Sequence, residues 1–243
     1  MKVLFVGNSL TFFREQGSGA DCLLQDLPGL LRRMSGGGLE AEGAARSGAG
    51  FKEHREEGRL REGLARGPWN AVVLQDSSRG PLADPSGMRE QGLLLGREAL
   101  EAGAETLLFE TWAPRGEPAP ERVAAAYAEL GGLLPARVVP VGTAWRRAEA
   151  GRPGLELYSP DGLHAAPLGA YLTACVFYGA LLRENPASRA DRGPAEDLEG
   201  LAEISAGYEK FWGRGDLRIS MEDLAFLQEA AWESLASAGR AAQ

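Results

Sequence analysis

The chain has few of the residues that would mark a metalloprotein, a disulfide scaffold or a nucleic-acid binder. Its 243 residues include two cysteines and two histidines. Cys22 and Cys175 are too few for a disulfide framework in a chain of this length and read as buried thiols. His54 and His164 stand apart, with no Cys/His grouping at metal-ligand spacing, so no metal is expected. Basic residues are in deficit, with 26 Lys and Arg against 34 Asp and Glu and a net charge of −8. A general nucleic-acid binder needs a basic face to release counterions, so none is expected. There is no Gly-x-x-x-x-Gly-Lys-Ser/Thr run, and no Gly-x-Gly-x-x-Gly follows the first apolar run. The phosphate-loop and dinucleotide signatures are therefore missing. A secretory leader pattern is absent too, because Gly7-Asn8-Ser9 interrupts the first apolar run at once. A cytoplasmic location is the expectation. The uncharged stretch 165–182 touches the lower length limit of a membrane span. It holds Pro167, Gly169, Tyr171, Thr173, Tyr178 and Gly179 and lacks basic flanks. It reads as a helix buried inside a layered fold, and no membrane association is expected.

The composition that remains is ordinary for a folded protein, 44% hydrophobic and 25% charged. Apolar runs alternate with amphipathic stretches. Strands are predicted at Lys2–Gly7, more weakly near Glu40–Arg46, and at Ala71–Gln75, Thr106–Thr111 and Arg137–Val141. Helices are predicted at Asp21–Met34, Lys52–Arg66, Ser86–Ala102, Pro120–Leu134, Pro167–Arg183, around Leu198–Trp212 and at Met221–Ala236. Alternation of this kind argues for a parallel sheet of about five strands covered on both faces, an α/β class three-layer sandwich. The core unit is placed at residues 1–184. Residues 185–243 turn polar and then helical, and are expected as a helical extension packed on the same domain.

Two places could carry chemistry. The first strand ends at Gly7-Asn8-Ser9, which delivers a serine beyond the carboxyl end of a strand, where ligands bind in open α/β sheets. Ser9 reads either as a helix N-cap or as a nucleophile at a strand-to-helix turn, with the helix N-terminus favouring negative charge. Far downstream, Asp161-Gly162-Leu163-His164 sets an aspartate three residues before a histidine, with a turn-forming glycine between. That spacing lets the carboxylate fold back on one imidazole nitrogen and leaves the other free to take a proton. His54 reads as a helix residue on a surface face.

Together, Gly7-Asn8-Ser9-Leu10 and Asp161-x-x-His164 resemble the SGNH (GDSL-type) hydrolase superfamily. That family carries its nucleophile in an amino-terminal Gly-Asp-Ser and its Asp-x-x-His near the carboxyl end of a flavodoxin-like α/β/α sandwich. Asn8 stands where the family usually has aspartate, as in one branch of it. Ser47-Gly48-Ala49-Gly50 falls where the family's second block supplies an oxyanion-hole glycine. The resemblance implies Gly48 for that role, with Gly50 second. The family's third block, Gly-x-Asn-Asp, is replaced by Val73-Leu74-Gln75-Asp76-Ser77-Ser78. Ser77 aligns with the missing asparagine, Gln75 offers a side-chain amide nearby, and Ser78 belongs to a Leu-Gln-x-x-Ser pattern of the same branch. Glu110-Thr111-Trp112 and Val141-Gly142-Thr143-Ala144-Trp145 resemble further family segments, with Trp112 and Trp145 read either as lining the substrate site or, preferably, as buried core aromatics.

The resemblance implies a serine hydrolase that cleaves a small-molecule carboxylic ester, with a small acyl group such as acetyl, and uses no cofactor. Ser9 would be the nucleophile, His164 the base and Asp161 its orienter. The N–H groups of Ser9 and Gly48, with a donor from Gln75 or Ser77, would form the oxyanion hole. The alternative is an SGNH-fold binding or regulatory protein weakened in catalysis, for which the altered third block speaks. A nucleotide-binding flavodoxin-like module fits the topology but has no phosphate signature.

Overall fold

The structure, a computed structural model, describes residues 1–17, 20–188, 194–214 and 218–241. Five strands, β1 (Lys2–Val6), β4 (Glu40–Gly43), β5 (Ala71–Leu74), β6 (Glu105–Phe109) and β7 (Ala136–Val139), form one parallel sheet in the order β4-β1-β5-β6-β7. Two further strands, β2 (Phe12–Gly17) and β3 (Ala20–Asp26), form a separate antiparallel hairpin. The helices are α1 (Leu27–Met34), α2 (Phe51–Glu56), α3 (Arg59–Leu64), α4 (Gly80–Ala83), α5 (Pro85–Glu101), α6 (Glu121–Leu133), α7 (Val141–Gly151), α8 (Pro167–Leu182), α9 (Pro194–Trp212) and α10 (Met221–Ala241).

Side chains alternate across a strand, so each sheet strand feeds two cores. Val3, Phe5, Val73, Leu107, Phe109 and Val139 pack with residues of α1, α7, α8, α9 and α10. Leu4, Val6, Val72, Leu74 and Leu108 pack with residues of α2, α3, α5 and α6 on the other face. This is the three-layer α/β/α arrangement. All but the last residue of α8 are buried, which explains its lack of charge. No helix among the described residues is long and apolar enough to cross a membrane. Cys22 and Cys175 are buried, 0% exposed, and are not joined in a disulfide.

The five predicted sheet strands form, and most predicted helices form close to their expected bounds. Strand β2 and helix α7 form where no element was predicted, and two predicted helices differ. The predicted helix Asp21–Met34 is half strand, and α1 starts only at Leu27. Asp26 caps it, its carboxylate accepting the Gly29 N–H at 2.8 Å, and Pro28 occupies the first turn. Leu23, Leu24, Leu27, Leu30 and Leu31 satisfy a helical period as well as a strand followed by a helix, which hid the boundary. The predicted helix Lys52–Arg66 is broken into α2 and α3 at Gly58, whose φ of 68° ends the first helix.

From β1 the chain crosses to β4 on one side, then returns past β1 to β5 on the other. The connections after β1 and β5 leave in opposite directions. This opens a crevice at the carboxyl ends of these two strands, where such sheets place their ligands.

Candidate active site

Ser9 sits at that crevice. The chain leaves β1 through Gly7, where a Cβ would collide with Gln75 Oε1 and Thr11 Oγ1, so glycine is required by close approach. Asn8 O then accepts from the N–H groups of Thr11 (2.9 Å) and Phe12 (3.0 Å), closing one tight turn. Strand β2 follows directly. Ser9 is therefore neither a helix N-cap nor at a strand-to-helix turn, because the hairpin intervenes before α1. No helix dipole faces it from its own connection.

Asn8 organises the turn. It is 2% exposed, and all its amide atoms are used. Its Nδ2 donates to Ala49 O (2.9 Å) and Asp76 O (3.3 Å). Its Oδ1 accepts from Leu10 N (3.0 Å) and Gln75 Nε2 (2.6 Å). One side chain thus ties together the loops after β1, β4 and β5. An aspartate has no N–H to donate to these two carbonyls, which is the physical sense of asparagine here.

The partner loop precedes α8. Asp161 Oδ1 accepts from the N–H groups of Leu163 (2.9 Å) and His164 (3.0 Å), with Gly162 at φ 69° making the turn. Asp161 Oδ2 lies 2.6 Å from His164 Nδ1, and His164 Nε2 lies 2.9 Å from Ser9 Oγ. A carboxylate only accepts, so Nδ1 carries the proton and Nε2 is left to accept from the Ser9 hydroxyl. Burial alone would raise the Asp161 carboxyl. The hydrogen bonds from the His164 ring and the two N–H groups outweigh it and hold the group below the usual carboxylate range. The loop is pinned from the β6 side. Trp112 Nε1 donates to Leu163 O (2.8 Å), Arg115 N to Gly162 O (2.8 Å) and Tyr158 Oη to Ala113 O (2.9 Å). Trp112 and Trp145 stack at 3.9 Å, buried, as core aromatics.

Two backbone donors in the loops after β1 and β4 are unused. Among the described residues no acceptor takes the N–H of Ser9 or of Gly48. Gly48 has φ 74°, and its loop is tied to the serine turn by the Asn8–Ala49 bond and by Arg46 N to Gly7 O (2.9 Å). The Gly50 N–H, by contrast, is taken by Glu53 Oε2 at 2.9 Å.

Gln75 departs from the expectation of an oxyanion donor. It is 0% exposed, and both its amide hydrogens are used, on Asn8 Oδ1 (2.6 Å) and Asp76 O (3.2 Å). Its Oε1 accepts from Thr11 Oγ1 (2.7 Å) and Asn8 N (3.2 Å). It lies behind Asn8 and braces it. Ser77 is half-buried, and its Oγ accepts from Gly80 N at 2.9 Å, so its own hydrogen is available. Asp76 was not singled out in the sequence, yet its carboxylate takes the Phe51 N–H at 2.8 Å at the start of α2. Burial pushes it up to about 6 against the N–H groups of Phe51 and Ser77.

His54 is also placed differently from expectation. It is fully buried, and neither ring nitrogen finds a hydrogen-bond partner. Burial, with the nearby Arg59, lowers it to about 4. It takes no part in the site, because the helix turns that face inward. No group of three or more His, Cys, Asp or Glu among the described residues is arranged to hold a metal ion.

No family model and no curated protein matches the chain by sequence. Solved structures do match. A protein assigned to the SGNH hydrolases, from Slackia heliotrinireducens, is 28% identical with a TM-score of 0.60, covering 73% of this chain and 97% of that one. A protein of the DUF4886 family from Bacteroides uniformis is 17% identical at TM-score 0.56, covering 85% of this chain and 93% of that one. The lipase/acylhydrolase of Enterococcus faecalis is 19% identical at TM-score 0.56, covering 74% and 94%. The shared sheet, the serine after the first strand and the Asp-x-x-His before the last core helix lead to one conclusion: the chain belongs to the SGNH hydrolase superfamily.

Proposed function

We propose that this protein is a serine hydrolase of carboxylic esters with a small acyl group such as acetyl, working through an acyl-enzyme. The observation that carries the reading is the unbroken chain from Ser9 Oγ to His164 Nε2 (2.9 Å) and from His164 Nδ1 to Asp161 (2.6 Å). Ser9 Oγ attacks the ester carbonyl carbon while its proton passes to Nε2. Asp161 keeps the ring in the required tautomer and stabilises its cation. In this reading the N–H groups of Ser9 and Gly48, unclaimed by any acceptor among the described residues, receive the tetrahedral oxyanion, with the Ser77 hydroxyl as a third donor. Nε2 then gives its proton to the departing alkoxide. Water repeats the sequence on the acyl-enzyme, with His164 again as base.

The rival reading, a binding protein weakened in catalysis, draws on the engagement of Gln75 by Asn8 and Asp76, which leaves no side-chain amide for the oxyanion. One missing donor is worth about 10²–10³ in rate. A fluorophosphonate probe separates the two. The hydrolase reading expects covalent labelling at Ser9, lost in Ser9→Ala together with ester turnover while the unfolding midpoint is kept. An unlabelled wild-type protein, or wild-type turnover in Ser9→Ala, would overturn it.

A further inference from the structure

The hairpin between Ser9 and α1 brings an aromatic ring to the catalytic histidine. Phe13 of β2 stacks on the His164 imidazole, with centroids 4.9 Å apart and planes at 28°. Phe211 of α9 meets Phe13 edge to face at 6.5 Å and packs in turn on Trp212. Phe13 is half-buried, and Phe211 is 38% exposed. A single exposed phenylalanine needs no explanation. Two rings in contact with each other, one of them stacked on His164, form an apolar surface continuous with the site.

The surface is firmly held. The hairpin register shifts between Phe13 and Arg14, a bulge of the kind that re-aims side chains beside active sites. Arg14 bridges Asp21 and Glu203, both at 3.0 Å, and so fastens the hairpin to α9. Helix α9 approaches β3 so closely that a Cβ on Gly207 would collide with the backbone of Leu23.

The chemistry of the triad says which end of the ester meets this surface. His164 Nε2 must reach the leaving oxygen to protonate it, so whatever that oxygen carries lies on the histidine side of Ser9. The carbonyl oxygen, in the hydrolase reading, is held by Ser9 N and Gly48 N. We propose that the alcohol moiety of the substrate is apolar, alkyl or aryl, and that Phe13 and Phe211 form the shelf that binds it. This rests on the hydrolase reading above.

The test uses acetate esters of ethanol, butanol and hexanol, whose leaving oxygens are chemically alike, beside ethyl hexanoate and an acetylated sugar. The shelf predicts that kcat/KM rises about threefold per methylene along the alcohol series. In Phe211→Ala the hexyl-to-ethyl ratio falls about tenfold, and Phe211→Leu recovers part of it. Matching far-ultraviolet circular dichroism establishes that the variants fold. A rate that follows acyl length instead, a preference for the acetylated sugar, or an unchanged ratio in Phe211→Ala overturns the shelf. Fluorophosphonate labelling distinguishes the two levels of failure. A labelled Ser9 with a flat or silent alcohol series overturns the shelf alone, whereas an unlabelled Ser9 overturns the hydrolase reading and the shelf with it.

Discussion

Replacing Gln75 by alanine separates an oxyanion donor from a brace. The side chain is 0% exposed and makes four hydrogen bonds, to Thr11 Oγ1, Asn8 N, Asn8 Oδ1 and Asp76 O. Two of these partners keep another bond, since Asn8 Oδ1 still accepts from Leu10 N and Asp76 O from Asn8 Nδ2. The Asn8 N–H and the Thr11 hydroxyl, the latter 1% exposed, are left buried without their acceptor. An orphaned buried polar group costs about 1–3 kcal/mol, and the two lost bonds to partially served carbonyls add about 1 kcal/mol each. The expected loss is about 4–8 kcal/mol, a large share of the roughly 5–15 kcal/mol that holds a domain together. Urea unfolding followed by tryptophan fluorescence measures it, and ester turnover is read in parallel where the variant is still folded. Turnover should fall as well, because the Asn8–Ser9 turn loses its support. The signature that refutes this reasoning is a loss of about 10²-fold in kcat with an unchanged unfolding midpoint, which is what removal of an oxyanion donor alone would produce. Gln75→Glu sharpens the contrast. A carboxylate would face Asn8 Oδ1 and Asp76 O, two acceptors, so this variant should regain stability as acid protonates it.

Three further outcomes are expected. Trp112→Phe keeps the stack on Trp145 but removes the donor to Leu163 O at 2.8 Å, so kcat should drop severalfold with KM nearly constant; an unchanged kcat would free the catalytic loop from this anchor. His54, lowered by burial to about 4 from an ordinary 6.5, makes the folded state lose up to about 3 kcal/mol as pH falls from 6.5 to 4, because the unfolded chain takes the proton first. His54→Leu should remove this acid-side loss, and parallel stability curves for the two proteins across that window would contradict it. Glu110, raised by burial to about 7 from 4.5, works in the opposite sense: its cost is absent below pH 4.5 and complete above about pH 7. Glu110→Gln keeps an acceptor for Thr143 Oγ1, so it should be more stable than the parent at pH 8, and the gain should vanish by pH 4.5 in chemical unfolding.

The sequence by itself determined the sheet and the two poles of the site. Uniformly apolar strands such as Val3–Val6 and Val72–Leu74 must be buried on both faces whatever surrounds them, and each is short enough to be read locally. Ser9 follows the first of these strands, and Asp161 and His164 share one turn, so these residues could be singled out from spacing and from family resemblance. The rest depended on contacts between distant segments. A leucine-rich stretch at 23–31 fits strand and helix periods alike, and only pairing with Phe12–Gly17 made its first part a strand. The inward face of α2, and with it the burial of His54, was decided by packing against α5 and α3. The Gln75 amide looked free to donate in the sequence. Which atoms it faces depends on Asn8, 67 residues away, and that proximity exists only once β1 and β5 lie side by side. The same holds for Phe13 and Phe211, nearly two hundred residues apart in the chain and brought together beside His164 by the folding of α9 onto the hairpin.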